Sequence, residues 1–147
     1  MRDTFSLSVN INALRPDFRV FATYFFGDDM YNYDSEGDSF QVTSKSWTEL
    51  YMCSRENEAL CFDIWKINDE PLVFKVTSQT KEIVNRIAYF LSRETDGEII
   101  DDEGNVVSAE NIIQGMGNFD LAQRLELSDN SIWRKATEDN PFPNLNK

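Results

Sequence analysis

The chain has 147 residues, of which 26 are acidic and 14 basic, so its formal net charge is −12, and it contains no histidine. A length typical of one domain and a hydrophobic content of 41% predict a folded single domain over residues 1–147 and argue against a disordered chain. The excess of negative charge disfavours direct binding to nucleic acid or to an anionic membrane, because those surfaces carry the same sign.

The first third of the chain is predicted to contain strands and an acidic loop. Residues 4–11 alternate apolar and polar side chains and predict a half-buried strand. Residues 18–26 follow Pro16 and are rich in aromatic side chains, a pattern that fits either a strand or a helix, and we favour the strand. Residues 27–39 consist mainly of turn formers without a period and predict a loop.

A β-hairpin is predicted at residues 47–54 and 59–67, followed by a strand at 72–77. In a symmetric register the apolar face of this hairpin would hold Leu50, Met52, Phe62 and Ile64. The opposite face would hold Glu49, Tyr51, Cys53, Cys61, Asp63 and Trp65. Because side chains alternate across a strand, we expect the first face to pack and the second to meet water or a partner.

The last part of the chain is predicted to be mainly helical. An apolar stripe at helical spacing predicts the longest helix at residues 79–93. After a short hairpin within 98–107, further helical segments are predicted at 109–115, from Asn118 or Asp120 onward, and as a last turn within 130–137, with an extended tail at 138–147. Strands first and helices later predict an α+β fold, in which four to six antiparallel strands are packed by two or three helices.

The sequence also gives an expectation for the cellular compartment. Its N-terminus lacks the continuous apolar stretch of a signal peptide, and no run approaches the roughly 18 apolar residues of a membrane helix. We therefore expect a cytoplasmic protein in which Cys53 and Cys61 are free thiols. The predicted hairpin places the two cysteines opposite each other, so a disulfide is the alternative.

Catalytic and metal-binding motifs are missing from the sequence. Without histidine there is no catalytic triad and no histidine-ligated metal, and the isolated glycines form no phosphate-binding loop. An EF-hand-like frame that starts at Asn32 has Thr43 where the bidentate glutamate belongs. Asp63 interrupts a hydrophobic strand and is the most suggestive acid for carboxylate catalysis, but alternation alone explains it as an outward-facing residue. We expect no enzyme, no metal and no cofactor; a carboxylate-dependent enzyme or a calcium-binding module is an alternative.

The acids are distributed unevenly along the chain. Five acids and no base lie within residues 20–44, and eight acids and no base lie within 94–123. A surface that serves only solubility would intersperse the two signs. The first window also contains tyrosines, which are enriched in protein interfaces. We predict that a basic protein binds these windows, with the contact formed by Asp28, Asp29, Tyr31, Tyr33, Asp34, Glu36, Asp38, Asp96, Glu98, Asp101, Asp102 and Glu103.

In size, acidity and lack of histidine the chain resembles bacterial immunity proteins, the antitoxins that neutralise nuclease toxins such as those of contact-dependent growth inhibition systems. The resemblance rests on overall character and not on a motif. It implies a cytoplasmic protein that forms a tight one-to-one complex with one toxin domain, covering the toxin's phosphate-binding surface with carboxylates or binding beside it. The alternatives are a DNA mimic, which would compete with DNA for several proteins, and an adaptor domain that binds through exposed Trp47, Trp65 and Tyr51.

Overall fold

The computed structural model describes residues 4–27, 33–38, 42–57 and 59–143. The strands in these segments are β1 (Phe5–Asn10), β2 (Tyr33–Gly37), β3 (Glu49–Ser54), β4 (Cys61–Asn68), β5 (Val73–Ser78), β6 (Glu98–Ile100) and β7 (Val106–Val107). The helices are α1 (Phe18–Phe26), α2 (Lys81–Thr95), α3 (Ala109–Gln114) and α4 (Leu121–Asp129), followed by a 3₁₀ turn at Ile132–Lys135. Among these described helices, none is both long and apolar enough to span a bilayer.

The seven strands form one sheet in the order β2-β3-β4-β5-β1-β6-β7, and every neighbouring pair is antiparallel. The predicted α+β class is therefore confirmed, with a strand count slightly above the expected four to six. β1 lies inside the sheet between β5 and β6, so the N-terminal strand joins the hairpin region to the short hairpin near residue 100. Helix α2 packs on β1, β4, β5 and β6, and α1 packs on β3.

Residues 18–26 form helix α1, so the strand that we favoured there is wrong. Asp17 caps the helix, because its carboxylate accepts a hydrogen bond from the backbone N–H two residues later. Seven of the nine helical residues are buried, and Phe21 packs edge-on against Trp47 and Phe90 at ring distances of 5.7 and 4.9 Å. A helix buried on nearly all sides has no polar face, and without that face the sequence pattern could not distinguish a helix from a strand.

The hairpin β3-β4 has the symmetric register that the sequence predicted. Its cross-strand pairs on the less buried face are Glu49 with Trp65, Tyr51 with Asp63, and Cys53 with Cys61. The N–H of Ser54 donates to the carbonyl of Leu60 at 3.0 Å, which places these pairs at the non-hydrogen-bonded positions, where opposing side chains are closest. The structure joins the two cysteines in a disulfide, so it contains none of the free thiols that we expected.

The predicted acidic loop at 27–39 contains a strand instead, because residues 33–37 pair with β3 as the edge strand β2. Gly37 is needed there: its φ is +154°, and a Cβ atom would lie 2.2 Å from the carbonyl oxygen of Glu49. Asp38 follows and closes the β2-β3 connection, since its carboxylate accepts hydrogen bonds from the backbone of Thr48 and Glu49 and from the Thr48 hydroxyl. These bonds make an edge strand out of a sequence that resembles a loop.

Trp47, which the adaptor hypothesis placed on an exposed face, is a core residue and only 1% exposed. Its indole N–H donates to the carbonyl of Pro16 at 2.9 Å, and its own carbonyl accepts two hydrogen bonds from the guanidinium of Arg15. Arg15 also lies over the ring of Phe74, 5.0 Å from its centre. This tryptophan therefore fixes the segment before α1 to the sheet and is not available to a partner.

The described part of the C-terminal tail is held against α1 by Arg19. The guanidinium forms a buried ion pair with Asp17 at 2.6 Å, lies 4.2 Å from the ring centre of Trp133 and donates to the carbonyl of Pro141. The ring of Phe142 lies on the same guanidinium, at 5.4 Å. One arginine thereby connects the start of α1 to residues at the end of the chain.

Candidate functional site

The helices pack on one face of the sheet, and the opposite face is not covered by any described helix. Along β3, β4 and β5, buried residues that face the helices alternate with residues that remain partly or fully exposed. We call the second set, extended through its cross-strand partners, the outer face. It includes Asp34, Glu36, Glu49, Tyr51, Cys53, Cys61, Asp63, Trp65, Lys75, Thr77, Ser6 and Ser8.

A shallow pocket of about 330 Å³ lies on the outer face across β2, β3 and β4. Three carboxylates and two aromatic rings line it, and we call it the central pocket: Glu36, Glu49, Tyr51, Asp63 and Trp65. The register explains why they meet, since the pairs Glu49–Trp65 and Tyr51–Asp63 are adjacent on β3 and β4, and Glu36 lies opposite Tyr51 on β2. On the hairpin, Glu49 is therefore diagonal to Asp63, and Tyr51 is diagonal to Trp65.

The carboxylates of the central pocket have no intramolecular partner within the described residues. None of the three forms an ion pair or a side-chain hydrogen bond there. Burial raises the pKa of the Asp63 carboxyl above its ordinary value, although the residue as a whole is exposed. Lys75 of β5 is opposite Trp65 in the sheet and does not line the pocket.

A second, larger pocket of about 590 Å³ adjoins the first. Tyr51 and Asp63 line both pockets and so stand between them, while Thr77 and the Cys53–Cys61 disulfide line only the second. The outer face therefore contains two adjacent pockets that share the Tyr51–Asp63 pair. Pockets of this kind suit a protein partner, because the side chains that anchor an interface fill pockets on the opposite surface.

The first acidic window contributes to the outer face only in part. Asp34 and Glu36 lie on it; Asp34 forms an exposed ion pair with Arg55 at 2.8 Å, and Glu36 lines the central pocket. Tyr33 is paired with Ser54 and points to the helix side, where its ring stacks on Phe26 at 5.2 Å. Burial raises the pKa of Tyr33.

Asp38 serves the fold, since its carboxylate binds the backbone at the start of β3. Although partial burial acts in the opposite direction, hydrogen bonds from Thr48 and Glu49 lower the pKa of Asp38. Asp28, Asp29 and Tyr31 lie outside the described residues, so their part in the contact stays a prediction.

The second acidic window lies at the far side of the sheet, on β6 and the turn that follows. Asp96 is the left-handed C-cap of α2, with φ of 53°. Asp101 accepts hydrogen bonds from two backbone N–H groups of its turn, and Asp102 accepts one from the hydroxyl of Ser6 at 2.8 Å. Glu98 and Glu103 are exposed and form no side-chain hydrogen bond among the residues described. Several acids of this window are thus explained by turn and cap geometry.

The two windows do not form one surface. Five strand spacings separate β2 from β6, which is roughly 24 Å at about 4.8 Å per spacing. The outer face extends from the first window toward the second, and its residues Glu49, Tyr51, Asp63 and Trp65 were not among the contacts predicted for a basic partner, although the adaptor alternative named Tyr51 and Trp65. Their signal was present in the sequence, because the alternation of the hairpin already placed all four on one face. The runs of acids along the chain, in contrast, indicated the loops.

Comparison with known proteins identifies no relative: no protein-family model, curated protein or solved structure matches the chain. Among the described residues, no group of three or more cysteine, aspartate or glutamate side chains is placed to hold a metal ion. The functional conclusion therefore rests on the chemistry of the outer face.

Proposed function

We propose that this protein binds a basic protein through the outer face and acts as an immunity-type inhibitor of a toxin domain, of which a nuclease is the foremost example. The observation that supports it is the central pocket, where three carboxylates that have no partner among the described residues line one pocket with two partly exposed aromatic rings. One uncovered sheet face is ordinary in an antiparallel sheet and needs no partner. Unpaired acids combined with Tyr and Trp are what favour a protein contact.

Electrostatics indicates which kind of protein would bind. The net charge of −12 attracts a basic partner over long range, and unpaired carboxylates at the contact then disfavour acidic competitors. Nucleases and other nucleic-acid-binding domains carry basic surfaces, because they bind phosphate. A carboxylate-rich face is complementary to such a surface and would compete with nucleic acid for it.

The size of the face fits a specific complex. From β2 to β6 the sheet is roughly 24 Å wide, and strands of about six residues are roughly 20 Å long. This flat area, before the relief of the side chains is counted, is of the same order as the ~800 Å² that each partner buries in a standard interface.

The first test is affinity capture from a lysate of the organism that encodes the protein, with a matched pair of charge-reversed variants. One variant carries Glu36→Lys and Glu49→Lys on the outer face. The control carries Glu126→Lys and Glu138→Lys, which are exposed positions in and after α4 with the same change in net charge. We expect a basic protein to be retained by the wild type and the control and lost from the outer-face variant.

The captured protein then decides the functional class. Expressed alone in a heterologous host it should arrest growth, and co-expression of the wild-type chain, but not of the Glu36/Glu49 variant, should relieve that arrest. Capture of the same proteins by both variants would exclude the outer face as the contact. Competition with DNA for several unrelated DNA-binding proteins would favour the DNA-mimic alternative instead.

A further inference from the structure

The interior of the molecule shows how this chain holds a guanidinium group. Arg19 is bound by a carboxylate, that of Asp17 at 2.6 Å, and by an indole ring, that of Trp133 at 4.2 Å from the ring centre. The planar guanidinium suits this pair of groups, since its edge donates to the carboxylate while its face lies on the ring. The same two kinds of group, indole and carboxylate, recur on the outer face.

The central pocket offers these groups without a cation from the part of the chain that the structure describes. Trp65 and Asp63 lie two residues apart on one side of β4, and Tyr51 and Glu49 lie opposite them on β3. All the cation–ring contacts of the described residues involve other rings, on Trp47, Phe74, Trp133, Phe142 and Phe119. Within that part of the chain, neither outer-face ring contacts another ring, and no base reaches the three carboxylates.

We infer that the central pocket receives one arginine side chain of the basic partner, with the guanidinium between the Trp65 and Tyr51 rings and its N–H groups donating to Asp63 and Glu49. This inference rests on the proposed function and specifies the chemistry of its contact. Glu36, on the edge strand, closes the third side of the pocket.

Arginine suits this pocket better than lysine does. Its guanidinium has five donors in a fixed fork, which can serve two carboxylates on a diagonal at once, and its flat face stacks on aromatic rings. An ammonium group is a compact, strongly hydrated charge that gains less from the rings. The pocket is therefore expected to prefer arginine over lysine. Long-range attraction to an acidic protein gives no such preference, because the two side chains carry the same charge.

The test is a nuclear magnetic resonance titration of the full-length, ¹⁵N-labelled chain with two probes, the peptides acetyl-Gly-Arg-Gly-amide and acetyl-Gly-Lys-Gly-amide. Two indole N–H signals distinguish the pocket from the core. Trp65 lines the pocket, whereas the indole N–H of Trp47 donates to the carbonyl of Pro16 in the core. We expect the Trp65 signal to shift and saturate with the arginine peptide at a concentration roughly three- to ten-fold lower than with the lysine peptide. The Trp47 signal should stay in place.

Three conservative variants test which groups hold the guanidinium. Glu49→Gln with Asp63→Asn keeps the shape of the pocket and removes two of its charges. This variant should bind the arginine peptide several-fold more weakly than wild type does, and it should no longer prefer that peptide over the lysine peptide. Trp65→Phe, followed through backbone signals of β4, retains a ring and should keep part of that advantage. The control Glu126→Gln removes a charge from α4, far from the pocket, and should leave arginine selectivity unchanged.

Equal responses to the two peptides, or an unchanged arginine response in the Glu49/Asp63 variant, would overturn the arginine pocket. If such a result accompanies the loss of a captured basic protein from the Glu36/Glu49 charge-reversed variant, the proposed function stands and only the arginine assignment fails. If no basic protein is captured at all, the proposed function fails independently of the peptide result.

Discussion

The acids of the central pocket and the acids at the two edges of the sheet differ in what their carboxylates contact. At the edges, Asp38 and Asp101 accept backbone hydrogen bonds and Asp102 accepts one from a side chain. In the centre, Glu49 and Asp63 have no such partner among the described residues. Aspartate is common in turns because its side chain satisfies nearby backbone N–H groups. A run of acids in loops therefore indicates local structure at least as strongly as it indicates a binding surface.

Three variants, two of which have a control variant, sharpen this comparison, and the largest effect is expected at an acid that is both buried and paired. Asp17→Asn would keep a capping oxygen for α1 but leave the charge of Arg19 without its partner; the two side chains are 1% and 7% exposed. We expect a loss of about 3 kcal/mol in the free energy of unfolding, because a buried charge that loses its counterion is strongly destabilising. Urea denaturation measures it.

The matched control is Asp34→Asn, which breaks the ion pair with Arg55 at the exposed edge of the sheet. Both of these side chains are more than half exposed, so we expect a loss below about 1 kcal/mol. Equal losses in the two variants would mean that burial does not set the strength of these pairs.

An intermediate effect is expected at Asp38. Asp38→Ala removes the hydrogen bonds to Thr48 and Glu49 that close the β2-β3 connection, and we expect a loss of about 1 kcal/mol at neutral pH. Because these bonds lower the pKa of Asp38, the stabilisation is fully present above the ordinary carboxyl pKa and is lost as the pH falls through the folded-state value. Unfolding curves of wild type and variant should therefore converge in acid.

Exposed Glu103→Ala, which breaks no described hydrogen bond, is the control for Asp38 and should stay within about 0.5 kcal/mol of wild type at either pH. A difference between the Asp38 variant and wild type that persists unchanged in acid would show that the carboxylate charge does not matter there.

The smallest effect on stability is expected in the central pocket. Glu49→Gln with Asp63→Asn should change the free energy of unfolding by less than about 0.5 kcal/mol, since no described partner is lost. Burial raises the pKa of Asp63, so its charged form slightly destabilises the fold above that pKa, and this penalty vanishes below the ordinary carboxyl pKa. The variant should thus equal or slightly exceed wild type at neutral pH, and a marked loss would assign these acids to the fold.

Much of the secondary structure could be predicted because its signals are local. The apolar stripe placed α2 within two residues of its observed start and end, and the register of β3-β4 followed from the turn between them. Helix α1 and strand β2 could not be predicted in this way. The first has no polar face, and the second exists through hydrogen bonds to β3 and through Gly37, whose close approach to Glu49 no local pattern reveals.

The sequence by itself determined the α+β class, the charge, the lack of histidine chemistry and the two faces of the central hairpin, because composition and alternation are properties of the chain. Only the tertiary structure decided which acids are free to bind. It inserted β1 between β5 and β6 and thereby placed the two acidic windows at opposite edges. It also covered one side of the sheet with helices and left Tyr51, Asp63 and Trp65 on the other. Strand order and helix packing depend on contacts between residues far apart in the chain, and for that reason no window of sequence could show that Glu36 of β2 joins the hairpin residues in one pocket.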